Sequence, residues 1–297
     1  MGLSEPAGTI AEALAHGGGF LRDAGSETPR LDAEVLLAHL LGRERAWLFA
    51  HPEAPMEGAD EFAKLLSRRA DGEPVAYLRG FKEWRSLRIR TDARALVPRP
   101  ETELLLEAAI EEISGRMARD DATIAAWEVA TGSGAVITAL ALRYREALAL
   151  GRLRLIASDL SPDALELAAE NLAAHGVEKL VDLACADLLA PAGATLPRPD
   201  VVIANLPYVS SEEVDARGGS FRHEPRIALD GGPDGLAVLR RLMDEIPDRT
   251  ARGAVVLLEI GIGQTEAVAE IAPAGASVSA LPDLAGVERV VRIGLPT

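Results

Sequence analysis

Three short segments combine residue types that could do chemistry together. The first is Trp127-Glu128-Val129-Ala130-Thr131-Gly132-Ser133-Gly134, where glycines let the backbone turn sharply and approach a ligand closely. The second is Ser158-Asp159-Leu160-Ser161, with Asp159 following Gly134 by 25 residues. A carboxylate at that distance can accept hydrogen bonds from both ribose hydroxyls of a nucleoside cofactor. The same residue types also make helix N-caps, and Ser161 or Asp163 could fill that role. The glycine pattern is not a full G-x-G-x-x-G, which disfavours NAD. The third segment, Asn205-Leu206-Pro207-Tyr208, follows the apolar run 201–204. The Asn205 side-chain oxygen and the Leu206 carbonyl can accept both hydrogens of a planar NH₂ group, turning its nitrogen lone pair toward a methyl donor. Tyr208 can stack on the flat group. An amide nitrogen is a poor nucleophile, so placement and hydrogen bonding must do most of the work.

These segments need a scaffold that delivers them to one place. Residues 1 to about 75 read as helical: 29–42 has acidic residues early and a glycine at its end, and a second helix is predicted over 58–70. Polar and apolar residues alternate between Tyr77 and Val97, predicting a short hairpin, and a helix is predicted over 101–117. Strand patterns then fall at 123–129, 153–158, 181–184, 201–204 and 254–259, with helical stretches such as 135–148 and 163–175 between them. That alternation implies right-handed βαβ units and a parallel sheet covered on both faces. Residues 276–281 and 289–293 predict an antiparallel hairpin at the sheet edge.

Hydrophobic residues make up 48% of the 297 residues and aromatics only 4%, so the core must be aliphatic. A net charge of −15 and a pI near 4.9 argue against direct nucleic-acid binding. The chain lacks a continuous apolar stretch of membrane-spanning length, and its start lacks signal-peptide character. A single cysteine, Cys185, fits a reducing compartment and reads as a core residue. The expected location is cytoplasmic. The five histidines lack metal-ligand spacing, and Glu111-Glu112 reads as a solvated helix face.

With these motifs in register, the chain resembles the HemK-type protein-(glutamine-N5) methyltransferases, which modify the Gly-Gly-Gln motif of class-I peptide-chain release factors. The resemblance runs over nearly the whole chain. It includes Pro29-Arg30-Leu31-Asp32-Ala33-Glu34, Gly72-Glu73-Pro74-Val75-Ala76-Tyr77 and Val97-Pro98-Arg99-Pro100-Glu101-Thr102-Glu103. It continues in Glu224-Pro225-Arg226, in the run from Ala228 to Gly235, and in Leu258-Glu259-Ile260-Gly261. The resemblance implies an α/β fold: a seven-stranded Rossmann-like class I methyltransferase sheet with a small N-terminal helical domain. It implies S-adenosyl-L-methionine as cofactor and class-I release factors as protein partners.

By that similarity, Ala130, Thr131, Gly132, Ser133 and Gly134 would line the methionine part of the cofactor and Asp159 the ribose, with Asp187 and Leu188 near the adenine. Asn205, Leu206, Pro207 and Tyr208 would hold the glutamine, with Asn205 also facing the cofactor and Asn205, Pro207 and Tyr208 serving catalysis. Residues 100–103 would close over the cofactor side. Residues 1–76 would form the substrate-docking domain, 77–98 a hairpin linker and 99–297 the methyltransferase domain.

The chain departs from the family pattern twice, at Ala130 where glycine is usual and at Leu206 where a second proline is usual. The Ala130 methyl could crowd the cofactor or alter the turn. Leu206 keeps its carbonyl and is biased to extended geometry by Pro207. Two alternatives stand beside this reading. Asn-Leu-Pro-Tyr is also similar to the motif of ribosomal-RNA adenine-N6 dimethyltransferases, for which Lys and Arg should cluster around the pocket. A homologue that binds release factor or cofactor without turnover is the other.

Overall fold

The computed structural model describes residues 8–119, 122–191, 196–216 and 218–297. The chain divides into two compact units, one comprising Met1–Phe81 with Arg217–His223, the other Lys82–Ala216 with Glu224–Thr297.

The first unit is helical: α1 (Ile10–Asp23), α2 (Pro29–Leu40), α3 (Arg45–Ala50), α4 (Ala59–Ala70) and α5 (Val75–Arg79). Thr9 and Glu12 form a reciprocal capping box that starts α1. Leu21, Leu36, Leu37, Phe62 and Leu66 supply its core. The acidic residues at the start of α2 are buried. Asp32 accepts from Ser26, Thr28 and Arg69, and Glu34 from Arg30 and Arg45. They are therefore structural anchors within this unit as well as helix-start signals.

The strands β1 (Phe81–Trp84) and β2 (Leu87–Arg90) follow, a two-stranded sheet that from Lys82 onward belongs to the second unit and whose two-residue turn puts Arg85 and Ser86 at φ 50° and 62°. The remaining strands are β3 (Ile124–Val129), β4 (Leu153–Asp159), β5 (Val181–Asp187), β6 (Ala190–Pro191), β7 (Val201–Ala204), β8 (Val255–Glu259), β9 (Ser277–Pro282) and β10 (Glu288–Gly294). They form one sheet in the order β6-β5-β4-β3-β7-β8-β10-β9. The seven strands expected from the pattern are all present, and the two-residue β6 adds a short antiparallel edge. Strands β5, β4, β3, β7 and β8 are parallel. The β9–β10 hairpin packs antiparallel onto β8.

The helices are α6 (Thr102–Arg119), α7 (Ala135–Arg143), α8 (Arg145–Ala149), α9 (Pro162–Ala174), α10 (Ser211–Ala216), α11 (Ala237–Arg249) and α12 (Thr265–Ile271). Because strand side chains alternate faces, each central strand feeds two cores. Ala126, Leu155, Ile203 and Leu257 meet Leu105, Ile113, Ile137, Leu140 and Leu172 on one face. Trp127, Ile156, Val202 and Val256 meet Leu239, Leu242, Met243, Ile246 and Val268 on the other.

Three expectations need correction. The helix read over 135–148 breaks at Tyr144, whose hydroxyl is tied to the Ile110 carbonyl and Ser114. Cys185 is exposed rather than core, because β5 is flanked at the sheet edge only by the short β6. Of the acidic pair on α6, only Glu111 is solvated. Glu112 is buried and ion-paired with Arg116 and Arg292, a partner 180 residues away that helix periodicity could not reveal.

Candidate active site at the sheet switch point

Strand order reverses between β3 and β7, and open α/β sheets bind ligands at the carboxyl ends of the strands beside such a reversal. A cavity of about 260 Å³ lies there. Its wall brings together Ala130–Ser133 after β3, Asp159 at the end of β4, Asp187 at the end of β5 with Leu188 just after it, and Asn205–Pro207 after β7. Gly134 and Tyr208, also singled out from the sequence, stand outside that wall.

The loop after β3 is shaped by backbone geometry. Ala130, Gly132 and Gly134 all have positive φ, at 55°, 56° and 73°. A Cβ on Gly134 would lie 2.9 Å from the Cβ of Ala168, so this glycine allows the loop to pack on α9. Ala130 holds a left-handed conformation that costs a non-glycine residue roughly 1 kcal/mol. The departure from glycine therefore keeps the turn at an energetic cost.

Asp159 connects the loop to the next strand. Its Oδ2 accepts from Gly132 N at 2.9 Å and its Oδ1 from Ser161 N at 2.9 Å. The N-cap of α9 is Ser161, whose Oγ accepts from Ala164 N, so Asp159 is not consumed as the cap. A carboxylate has about four acceptor positions, so capacity remains on both oxygens for hydroxyl donors. Burial raises the Asp159 pKa, opposed by the N–H groups of Ser161, Gly132 and Leu160. The donor set thus fits a diol, and the glycine-lined loop fits close approach of a ligand.

Glu128, the last-but-one residue of β3, is a site residue whose role residue type and spacing do not reveal. Burial pushes it up to about 8, with the Thr131 hydroxyl and Ile137 N–H opposing and the charge of Asp159 adding to the rise. Both donors reach Oε2, at 2.8 and 3.0 Å, pinning the loop to the first turn of α7. An acidic residue at a strand end before a glycine turn was the available signal.

On the opposite wall, Asn205 Nδ2 donates to Thr102 Oγ1, at the first residue of α6, over 3.3 Å. Leu206 is buried in the sheet core, which anchors the segment despite the missing second proline. Tyr208 is pushed up to about 12, by burial first and then by Glu259 and Glu101. The run from Ala228 to Gly235, known from sequence only as a match, packs directly on this segment. A Cβ on Gly231 would lie 2.6 Å from the Pro207 carbonyl oxygen, and one on Gly235 2.3 Å from that of Tyr208. Likewise, a Cβ on Gly261 would sit 3.2 Å from the Tyr208 ring. Glu224, whose side chain is fully buried, joins Arg99 at 2.6 Å and Val97 N at 3.2 Å, holding the segment that leads to Thr102.

The cationic residues of the wall are neutralised. Arg94 bonds Asp92 and Glu170, Arg99 bonds Glu224, and Arg241 bonds Asp187. This is not the unpaired basic cluster that an RNA backbone would require.

Sheet order, switch-point cavity, glycine turn and strand-end acid together define a Rossmann-like class I methyltransferase domain. A protein-family model described as the PrmC N-terminal domain matches residues 12–80. The release factor glutamine methyltransferase of Rhodopirellula baltica is 37% identical over 283 residues, covering 92% of this chain and 91% of that protein. Its counterpart from Bordetella pertussis is 38% identical over 266 residues, covering 88% and 93%. A solved protein-(glutamine-N5) methyltransferase (release factor-specific) from Alicyclobacillus acidocaldarius is 26% identical, with a TM-score of 0.40 over 68% of this chain and 95% of that one. The chain belongs to the release factor glutamine methyltransferase family.

Proposed function

We propose that this chain transfers a methyl group from S-adenosyl-L-methionine to the side-chain amide nitrogen (N5) of the glutamine in the Gly-Gly-Gln motif of class-I peptide-chain release factors. The observation that carries this reading is that Asn205, Leu206 and Pro207 share one cavity wall with the Ala130–Ser133 loop and Asp159.

In this reading Asp159 takes the ribose hydroxyls, the Ala130–Gly134 loop the methionine part, and Leu188 the adenine surroundings. When bound there, the cofactor supplies an electrophilic sulfonium methyl. Asn205 Oδ1 and the Leu206 carbonyl accept the two amide hydrogens, holding the nitrogen lone pair in line with that methyl. Pro207 stiffens the segment and Tyr208 backs the flat amide. As the N–C bond formed, the S–CH₃ bond would break with its electron pair returning to sulfur, S-adenosylhomocysteine would leave, and the surplus proton on the amide nitrogen would pass to solvent. The paired arginines around the cavity favour a protein amide over an RNA adenine as acceptor. Among the described residues no helix is long and apolar enough to cross a membrane. A cytoplasmic location goes with a translation factor as substrate.

Mass spectrometry of a purified class-I release factor, incubated with this protein and S-adenosyl-L-methionine, tests the reading. One added methyl on the Gly-Gly-Gln glutamine is expected. No methylation with cofactor binding intact would turn the assignment toward another acceptor such as RNA. Loss of cofactor binding as well would favour a homologue without turnover and make Ala130 the first suspect.

A further inference from the structure

Asn205 by itself is ambiguous. Its amide can present oxygen or nitrogen to the cavity, and a substrate NH₂ group offers only donors. A flipped Asn205 would set N–H against N–H. Thr102, its hydrogen-bond partner, does not resolve this, because a hydroxyl both donates and accepts.

The group that can resolve it stands one step further on. In the sheet register Ala204 pairs with Leu258, so the next residues, Asn205 and Glu259, leave neighbouring parallel strands side by side. Glu259 is only 4% exposed, and its Oε2 is buried with no hydrogen-bond partner among the described residues. Thr102 and Asn205 both approach this carboxyl closely enough to favour its charged form. An ionised carboxylate only accepts. In any hydrogen bond between Thr102 and Glu259 the hydroxyl is then the donor, which leaves Thr102 Oγ1 to accept from Asn205 Nδ2. Any direct contact of Asn205 with the carboxylate also selects Nδ2. Both routes turn Oδ1 toward the substrate.

We propose that Glu259 is a positioning residue for methyl transfer, acting through Thr102 to fix the orientation of the Asn205 amide. The inference rests on the reading of Asn205 as the holder of the glutamine. The charged and titratable groups around Glu259 are Glu101, Arg289 and Tyr208. Burial, with Glu101 adding to it, pushes Glu259 up to about 7, while Thr102, Asn205 and Arg289 oppose the rise. A protonated carboxyl can donate as well as accept, so the direction of the chain is secure only above that pH.

The test is steady-state methylation of a purified class-I release factor by the full-length enzyme, with S-adenosyl-L-methionine affinity measured by calorimetry. The variants are Glu259→Gln, Thr102→Val and Thr102→Ser. Misplacing the acceptor should lower kcat about 10- to 100-fold in Thr102→Val and Glu259→Gln. Cofactor affinity should hold, and Thr102→Ser should recover most of the loss. The wild-type kcat should climb as pH rises through about 7, and Glu259→Gln should lose that climb. Should Glu259→Gln fold poorly, the Thr102 pair still decides. Wild-type kcat in both altered variants, or loss of kcat and cofactor affinity in parallel, would overturn the positioning role while leaving the methylation reading intact. A wild-type enzyme that leaves the glutamine unmethylated would overturn both.

Discussion

Two of the parallel strands, β3 and β8, carry a buried glutamate at or next to their last residue, and the two acids are treated differently. Glu128, on the wall with the glycine loop, has two donors on one oxygen, and its hydrogen bonds stay within β3, its loop and α7. Glu259, beside Asn205 on the neighbouring strand, keeps Oε2 without any donor among the described residues. Burial raises both pKa values, to about 8 and about 7. A satisfied buried carboxyl holds a loop in shape, whereas an unsatisfied one is a cost that persists where it serves a site. The wall carrying the loop is thus shaped by backbone conformation, and the wall carrying Asn205 by side-chain hydrogen bonding.

The largest expected effect separates the walls by function. Asn205→Ala should cut kcat by about 100-fold or more, as loss of one preorganised polar group in an active site does, while leaving cofactor affinity nearly intact. Asp159→Ala should do the reverse, weakening cofactor binding more than turnover. Equal losses of both kinds in both variants would erase the division of labour. Next comes Gly134→Ala, where a methyl would sit 2.9 Å from Ala168 in a left-handed backbone. It should destabilise the protein by roughly 2–3 kcal/mol, read by denaturant unfolding.

Glu128→Gln addresses pH. Between the ordinary value of 4.5 and about 8, the folded state keeps a proton that the unfolded chain has lost. Stability should therefore fall as pH rises through that window, by on the order of 1–2 kcal/mol after allowance for relaxation. The variant should flatten the fall in thermal-unfolding scans, though not abolish it, because Glu259 contributes in the same direction. An unchanged slope would mean that Glu128 ionises normally. The smallest effect is at Ala130, where Ala130→Gly removes left-handed strain but loosens the unfolded chain. A net gain of about 0.5 kcal/mol is expected from the same unfolding experiment.

Much of the fold was legible because each element carries its own local signal. Apolar runs of strand length, helix-period stretches between them and turn residues at their ends placed all seven principal strands. The departures share one cause: Glu112, Cys185 and the helix break at Tyr144 each depend on groups outside their own segment, namely Arg292, the sheet edge, and Ile110 with Ser114. The site was legible to a similar degree. Glycines, Asp159 and the Asn205 segment announce themselves by type and spacing, and Gly132, Asp159 and Asn205 to Pro207 lie in the cavity wall while Gly134 and Tyr208 do not.

The amino-acid sequence by itself determined the element order, the residues of the two strand-end loops and the family resemblance, since these depend on residue type and short-range spacing. Tertiary structure alone decided which groups act together. Thr102, Asn205 and Glu259 are far apart in the chain; Asn205 bonds Thr102 at the start of α6 and stands beside Glu259 only because two parallel strands are held in a specific register. The glycines at 231, 235 and 261 likewise acquire their purpose only when their loops close on Pro207 and Tyr208. Hydrogen-bond direction and close packing are properties of neighbours in space, which spacing along a chain does not encode.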